Sequence, residues 1–282
     1  MNNKTIIVTG ASGSIGSEIV KSLLKKDFSV IMACRNLQKG EAVLSDILKE
    51  IQGKEEFVSL EELDLASLAS VRRFSESISR KNIRLNGLMN NAGTINRHFS
   101  KTAEGFENTV GVNYIGIFLL TQQLLPLLEE NSTIVNVTSI MSSPRKINKQ
   151  FFEFSHQKFS QFSSYSQSKA ALMLFTSSLA EQTKGKLFVN AADPGIVDSN
   201  MITMHRWFDP LADILFRPLI KSPKKGAIPL VNAQLSYQTG YLFYGNKSEP
   251  IPQKYNQHQL KEWLWKETKK IVCPDNGNGV NN

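Results

Sequence analysis

The chain has 282 residues, 41% hydrophobic and 21% charged, which supplies a sizeable core and excludes a disordered chain. Its two cysteines, Cys34 and Cys273, exclude a disulfide framework and fit a reducing compartment, so a cytoplasmic location is expected. The net charge of +8 is dispersed, densest in "KSPKK" (221–225) and "KETKK" (266–270); no nucleic-acid motif accompanies it, and a solvated basic surface is expected.

In chain order, "MNNK" leads directly into the apolar run "TIIV" (5–8), so no secretory leader is expected ahead of it. Further short strands are predicted in "FSVIMAC" (28–34), "EFVSLEELDL" (56–65), "IRLNGLMNNAG" (83–93), "STIVNVTS" (132–139) and "KLFVNAAD" (186–193). Amphipathic segments fall between them, including "SEIVKSLLKK", "LQKGEAVLSDILKEIQG" and "LASVRRFSESISR". Strands apolar on both faces, each followed by a helix, predict an α/β fold: a doubly wound parallel sheet covered by helices on both sides, in one domain spanning 1–273. The uncharged stretch "NTVGVNYIGIFLLTQQLLPLL" (108–128) is long enough to span a bilayer, but its Asn, Gln, Gly and Pro residues predict a buried core helix. Two long connections, 141–164 and 196–222, interrupt the rhythm and are expected to shape a binding site, while 274–282 is expected to be disordered. The stretch 201–225, apolar and then basic, fits a membrane-surface contact and fits a loop over the site equally well.

The first strand-to-helix turn reads "TGASGSIG", with glycines at Gly10, Gly13 and Gly16, and such a turn presents backbone N–H groups and a helix N-terminus to an anion such as a dinucleotide pyrophosphate. An NAD-selective site carries an acidic residue about 20 positions on. Here the second strand ends "MACRN", placing Arg35 where a guanidinium can hold a 2′-phosphate in two hydrogen bonds, so NADP(H) is expected in preference to NAD(H). Asp64 in "LDLAS" is suited to accept from an adenine amino group, or to cap the helix that follows. Further on, "YSQSK" puts Tyr165 and Lys169 on one helix face. A lysine cation there is expected to lower the phenol's pKa and make it a proton donor and acceptor near neutrality. Ser139, closing "IVNVTS", is placed to polarise a carbonyl oxygen, and Asn113 in "GVNYIG" is a polar residue in an apolar helix that requires a partner.

The glycine turn, "NNAG" (90–93), "VN" with Asn113, Ser139, YxxxK and "PG" (194–195), taken in this order over nearly the whole chain, resemble the short-chain dehydrogenase/reductase family. The phrases "ACRN", "TAEGFENTVGVNYIGIFLLT", "YSQSKAALMLF", "SPKKGA" and "LKEWLWKETKKIV" are similar to its retinol-dehydrogenase-like branch. The resemblance implies interconversion of an alcohol and an aldehyde or ketone by hydride transfer, with a tetrad of Asn113, Ser139, Tyr165 and Lys169. In that tetrad Tyr165 is the acid/base, Lys169 tunes it and holds the nicotinamide ribose, Ser139 orients the substrate oxygen, and Asn113 positions a water. It also implies dinucleotide contacts from Gly10, Ser12, Gly13, Ser14, Ile15 and Gly16 in the turn, and from Arg35 with Asn36, Asp64 with Leu65, and Asn91, Ala92 and Gly93. Tyr165, Lys169, Pro194, Gly195 and Val197 complete that set. No metal is expected, and family members assemble as dimers or tetramers. The middle glycine departs from most single-domain members, which carry it where this chain has Ser14, and its spacing resembles extended and non-catalytic dinucleotide-sensing relatives. Phenylalanines in 151–162 and the apolar run 201–220 favour a retinoid-, steroid- or lipid-like substrate, or a second subunit packed there. Two alternatives stand beside this reading: reduction of a carrier-bound 3-oxoacyl group, and NADP(H) sensing or scaffolding without turnover.

Overall fold

The computed structural model describes residues 4–139, 141, 142, 147, 151–153, 159–197, 221–256 and 259–273. Most of the predicted 196–222 connection and the 274–282 tail therefore lie outside the described residues.

Each predicted strand forms: β1 (Thr5–Thr9), β2 (Ser29–Cys34), β3 (Val58–Glu62), β4 (Leu85–Asn90), β5 (Leu128–Val137) and β6 (Phe188–Asp193). Two more follow, β7 (Tyr241–Tyr244) and β8 (Lys247–Pro250), which pair antiparallel across a Gly245–Asn246 turn. Sequence reading missed this hairpin, although Gly-Asn between two four-residue runs is its signal. The sheet order is β3-β2-β1-β4-β5-β6-β7-β8, parallel from β3 to β7. Winding goes one way from β1 to β3 and reverses at β4, so a crevice opens at the carboxyl ends of β1 and β4.

Alternation along the strands feeds two cores. Ile6, Val8, Val30, Met32, Val135 and Val137 pack toward α1 (Ser14–Leu24), α2 (Leu37–Glu50) and a later helix, Pro223–Gln234. Ile7, Ile31, Leu88, Ile134 and Val189 pack on the other face against α3 (Leu68–Arg80) and the helices that follow it. Burial on both faces is why these strands read as unbroken apolar runs. The edge strand β3 is the exception, half-buried and carrying Ser59, Glu61 and Glu62, and it is shorter than the ten-residue run predicted because a 3₁₀ turn, Glu55–Phe57, precedes it.

The uncharged stretch forms a composite helix, α4: an opening turn Asn108–Val110, a π segment Gly111–Ile115 and an α-helix Gly116–Leu124. Buried Glu107 caps it, accepting from Thr109 N–H (2.9 Å) and Val110 N–H (3.0 Å). With its short continuation, Asn108–Leu127 is the one helix among the described residues long and apolar enough to cross a membrane, and 67% of that window is buried inside the protein.

Helix α5 (Gln161–Gln182) begins inside the predicted 141–164 connection. Its first turns, "QFSSYSQS", have weak helix propensity, since serine hydroxyls compete for backbone. Packing overrides that weakness: buried Ser166 donates to Met141 O (2.6 Å) and buried Ser168 accepts from the amide of Asn113 (3.1 Å). The Pro223–Gln234 helix is α6, and α7 (Gln253–Asn256) and α8 (Leu260–Val272) close the described chain. Trp265 of α8 stacks on Phe175 of α5 (5.5 Å) and meets Phe118 of α4 edge-on (5.2 Å), sealing the outer side of both helices.

Candidate active site

At the crevice, β1 turns sharply through Gly10, whose φ of +63° belongs to the left-handed region. A Cβ on Gly10 would stand 2.8 Å from Ala92 Cα, and one on Gly16 only 2.2 Å from the Gly10 carbonyl oxygen. Both glycines are therefore required by close approach. The "NNAG" loop is clasped to this turn: Asn91 Nδ2 donates to Thr9 O (3.0 Å) and Gly10 O (3.3 Å), and Ala92 N–H donates to Thr9 Oγ1 (2.9 Å). Gly13, the middle glycine, is the N-cap of α1 and offers no side-chain cap, so the first N–H groups of the helix lack a capping acceptor.

A cleft of about 460 Å³ lies over this turn, and every residue assigned above to dinucleotide contact lines it. On one wall stand Arg35 at the end of β2 and Lys39 one helical turn later. Asn36 between them caps α2, accepting from Lys39 N–H (2.8 Å). Asp64 does not cap α3; Ser67 does, while the Asp64 carboxylate accepts from Ala66 N–H (2.9 Å) and remains the only carboxylate among the described lining residues. Ser12 also lines the cleft, its hydroxyl bonded to the thiol of Cys34 beneath, and burial pushes that thiol's pKa up.

Tyr165 and Lys169 form the opposite end, together with Val137, Thr138, Pro194, Gly195 and Val197. The Lys169 ammonium donates to Val137 O (2.7 Å) and lies 5.9 Å from the centre of the Tyr165 ring. Burial pulls its pKa down to about 8, against the attraction of the Asp193 carboxylate. Burial likewise pushes the Tyr165 phenol above its ordinary value, a hydrogen bond from Ser139 opposing the shift and the Asp193 charge adding to it. The lowering expected for Tyr165 is thus reversed: the ammonium faces a carbonyl, and loss of water disfavours the phenolate more than Ser139 favours it.

Ser139 and Asn113 are not among the lining residues; Ser139 adjoins the cleft at the Tyr165 hydroxyl, and Asn113 supports it from behind. Ser139 Oγ, besides bonding the phenol, accepts from Met141 N–H (3.2 Å). Asn113, fully buried in the π segment, accepts from Thr94 N–H (2.7 Å) and donates to Thr94 O (2.9 Å) and Ser168 Oγ (3.1 Å). Its amide therefore ties the loop after β4 to the helix turn that carries Lys169, a polar partner set of the kind a buried amide requires. A π segment carrying a site residue is a recurrent arrangement.

Sequence reasoning missed Lys39, Thr94, Thr138 and Asp193. Lys39 was findable, a second cation one helical turn past Arg35. Asp193 adjoins "PG", yet its influence on Tyr165 and Lys169 arises only because β6 lies beside β5. Phe151 and Phe152, read as facing an apolar substrate or a second subunit, pack instead on the core: buried Phe151 meets Tyr114 (5.8 Å) and half-buried Phe152 meets Trp263 (6.0 Å). Their rings fill the space between α4 and α8, where an aromatic side chain buries more area than in a loop.

The doubly wound sheet, the glycine turn at its switch point and the Tyr165–Lys169 pair in one cleft define a Rossmann-type oxidoreductase. Residues 4–207 match the family described as short chain dehydrogenase, and the chain belongs to that family. It is 32% identical over 281 residues to retinol dehydrogenase 13 of Homo sapiens, covering 95% of this chain and 84% of that relative. It is 38% identical over 228 residues to human retinol dehydrogenase 11, covering 79% of this chain and 70% of the relative. The Pseudomonas aeruginosa RhlG/NADP active-site complex superimposes with a TM-score of 0.68 at 26% identity, over 86% of this chain and 94% of that one. The chain lies on the retinol-dehydrogenase-like branch and is an oxidoreductase acting on CH–OH donors.

Proposed function

We propose that this protein interconverts an apolar alcohol and its aldehyde or ketone with NADP(H), Tyr165 exchanging the proton with the substrate oxygen. The observation that carries this reading is the placement of Tyr165 and Lys169 in the same cleft as the glycine turn and Arg35. The residues fit a phosphorylated dinucleotide: an uncapped helix start and a glycine turn that no Cβ could enter suit a pyrophosphate, and two cations suit a 2′-phosphate. When bound, the nicotinamide supplies or accepts the hydride.

Tyr165 stays protonated at neutral pH, which suits it to donate to a carbonyl oxygen during reduction. Ser139 holds the phenol from one side and orients the same oxygen. Lys169, kept cationic below about pH 8, stabilises negative charge as the proton leaves. Asn113 acts at one remove, fixing the helix turn through Ser168. An apolar substrate is supported by exposed Met141, Phe162 and Ile196, each within a few residues of Ser139, Tyr165 or Gly195. The free thiols Cys34 and Cys273 favour a reducing, cytoplasmic setting.

The test is NADPH oxidation against aldehydes and ketones graded by chain length. kcat/KM should climb with chain length by about tenfold for every 1.4 kcal/mol of added burial, roughly two methylenes. A flat profile removes the apolar preference, and no turnover on any of them removes the reading.

A further inference from the structure

The turn that carries Ser139 leaves the end of β5 and is held from within by two bonds: Ser142 N–H donates to Ser139 O (2.9 Å) and Met141 N–H to Ser139 Oγ (3.2 Å). Met141 is exposed, so burial of that side chain does not fix the turn. Two side chains from elsewhere in the chain do. Ser166 Oγ of α5, the residue after Tyr165, donates to Met141 O (2.6 Å). Tyr255 of α7, 113 residues past Ser142, meets that serine twice. Its OH donates to Ser142 O (3.0 Å), which leaves it to accept from Ser142 Oγ (2.7 Å).

Tyr255 is 2% exposed, belongs to the core on the α5 side of the sheet, and is not among the residues that line the cleft. Its helix is fastened to α5: Ser177 Oγ donates to Asn256 Oδ1 (2.7 Å), and Lys261 Nζ donates to Ser177 Oγ (3.0 Å) and Asn256 O (3.3 Å). The helix that carries Tyr165 thus holds the Ser139 turn by two routes, directly at Ser166 and round through α7 at Tyr255. A buried phenol with its donor and its acceptor both committed to one residue of that turn acts as a clamp. The clamped turn presents the hydroxyl that bonds the Tyr165 phenol.

We propose that Tyr255 is a positioning residue for the reaction, clamping Ser142 so that the Ser139 hydroxyl stays against the Tyr165 phenol; this rests on the roles of Ser139 and Tyr165 given above. Tyr255→Phe keeps the ring and removes the hydroxyl. Its kcat for NADPH-dependent reduction should fall about 5- to 20-fold, because a displaced group forfeits orientation, while NADPH affinity stays within twofold. The groups facing the Tyr165 phenol are Ser139 after β5, Lys169 on α5 and Asp193 on β6, and Lys254 lies 5.1 Å from the Tyr255 ring. The substitution loosens Ser139, whose hydrogen bond opposes the upward shift of the phenol. The rising limb of kcat/KM for alcohol oxidation, which requires the phenolate, should therefore move to higher pH. In a Ser139→Ala background, Tyr255→Phe should cost less than a further twofold, since the group it positions is gone. Ser142→Ala leaves the carbonyl contact and should lose about 2- to 5-fold with the same direction of pH shift, which keeps the test open should Tyr255→Phe fold poorly. Ser132→Ala, which deletes a buried bond to Leu85 O nearer the start of β5, should lower Tm without moving kcat or the pH profile.

Unchanged kcat and an unmoved pH profile in Tyr255→Phe overturn the role. So do losses that multiply in the double variant, which would mark a general weakening of the fold. Wild-type protein with no turnover on any aldehyde or ketone overturns the reading of Ser139 and Tyr165 together with this role, a result distinct from either variant outcome.

Discussion

The glycine-turn end of the cleft is shaped by backbone: Gly10 and Gly16 leave no room for a Cβ, and Asn91 and Ala92 bond directly to the turn. The Tyr165–Lys169 end is shaped by buried polar side chains. There an ammonium is held with its pKa near 8, a phenol is held above its ordinary range, and a hydroxyl has no partner. The first end leaves the opening N–H groups of α1 uncapped for an anion; the second carries desolvated titratable side chains. Titratable side chains with shifted pKa values gathered at one end mark where chemistry, as distinct from grip, is performed.

The largest effect should separate the ends outright. Tyr165→Phe is expected to lower kcat about 10²- to 10⁴-fold while NADPH affinity, measured by fluorescence titration, moves less than threefold. Substantial remaining turnover would break the assignment of chemistry to that end. Gly16→Ala should do the reverse, destabilising the fold by about 2–3 kcal/mol through the clash with the Gly10 carbonyl. Calorimetry should register it as a fall of roughly 5–10 °C in Tm.

Arg35→Asp sharpens the contrast within the grip. Loss of a charge-assisted pair should weaken NADPH roughly 10- to 100-fold more than NADH, and equal losses would remove the 2′-phosphate role. The smallest effect concerns stability. Holding the Lys169 ammonium at about 8 instead of 10.5 costs the folded protein about 3 kcal/mol at neutral pH. Because the folded-state pKa is the lower one, stability should rise as pH climbs from about 8 toward 10.5. Lys169→Met should therefore be inactive yet more stable at pH 7 by about 1–2 kcal/mol, once the Val137 carbonyl's lost partner is subtracted. A destabilised variant would contradict the desolvated state of that lysine.

The parallel strands and their helices were legible because both faces of the sheet are buried, which writes an apolar run at each strand. β7 and β8 escaped because "YLFY" and "KSEP" are short, and only pairing across Gly245–Asn246 makes them strands. The start of α5 escaped because its serines mask a helix held by partners outside it, Met141 O for Ser166 and Asn113 for Ser168. Of the site, the motif residues were legible by type and order. The pKa direction of Tyr165 was not, since spacing brings Lys169 near it but says nothing of water.

Local pattern alone determined the doubly wound architecture, the glycine turn, the cation at the end of β2 and the Tyr–Lys pair, because each is written within a few consecutive residues. Only the tertiary structure decided that Lys169 turns to Val137 O, that Asn113 ties Thr94 to Ser168, that Phe151 and Phe152 are core, and that Thr138 is buried without a partner. Those outcomes depend on which groups lose water together, and desolvation is a property of the packed neighbourhood that no single stretch of chain encodes.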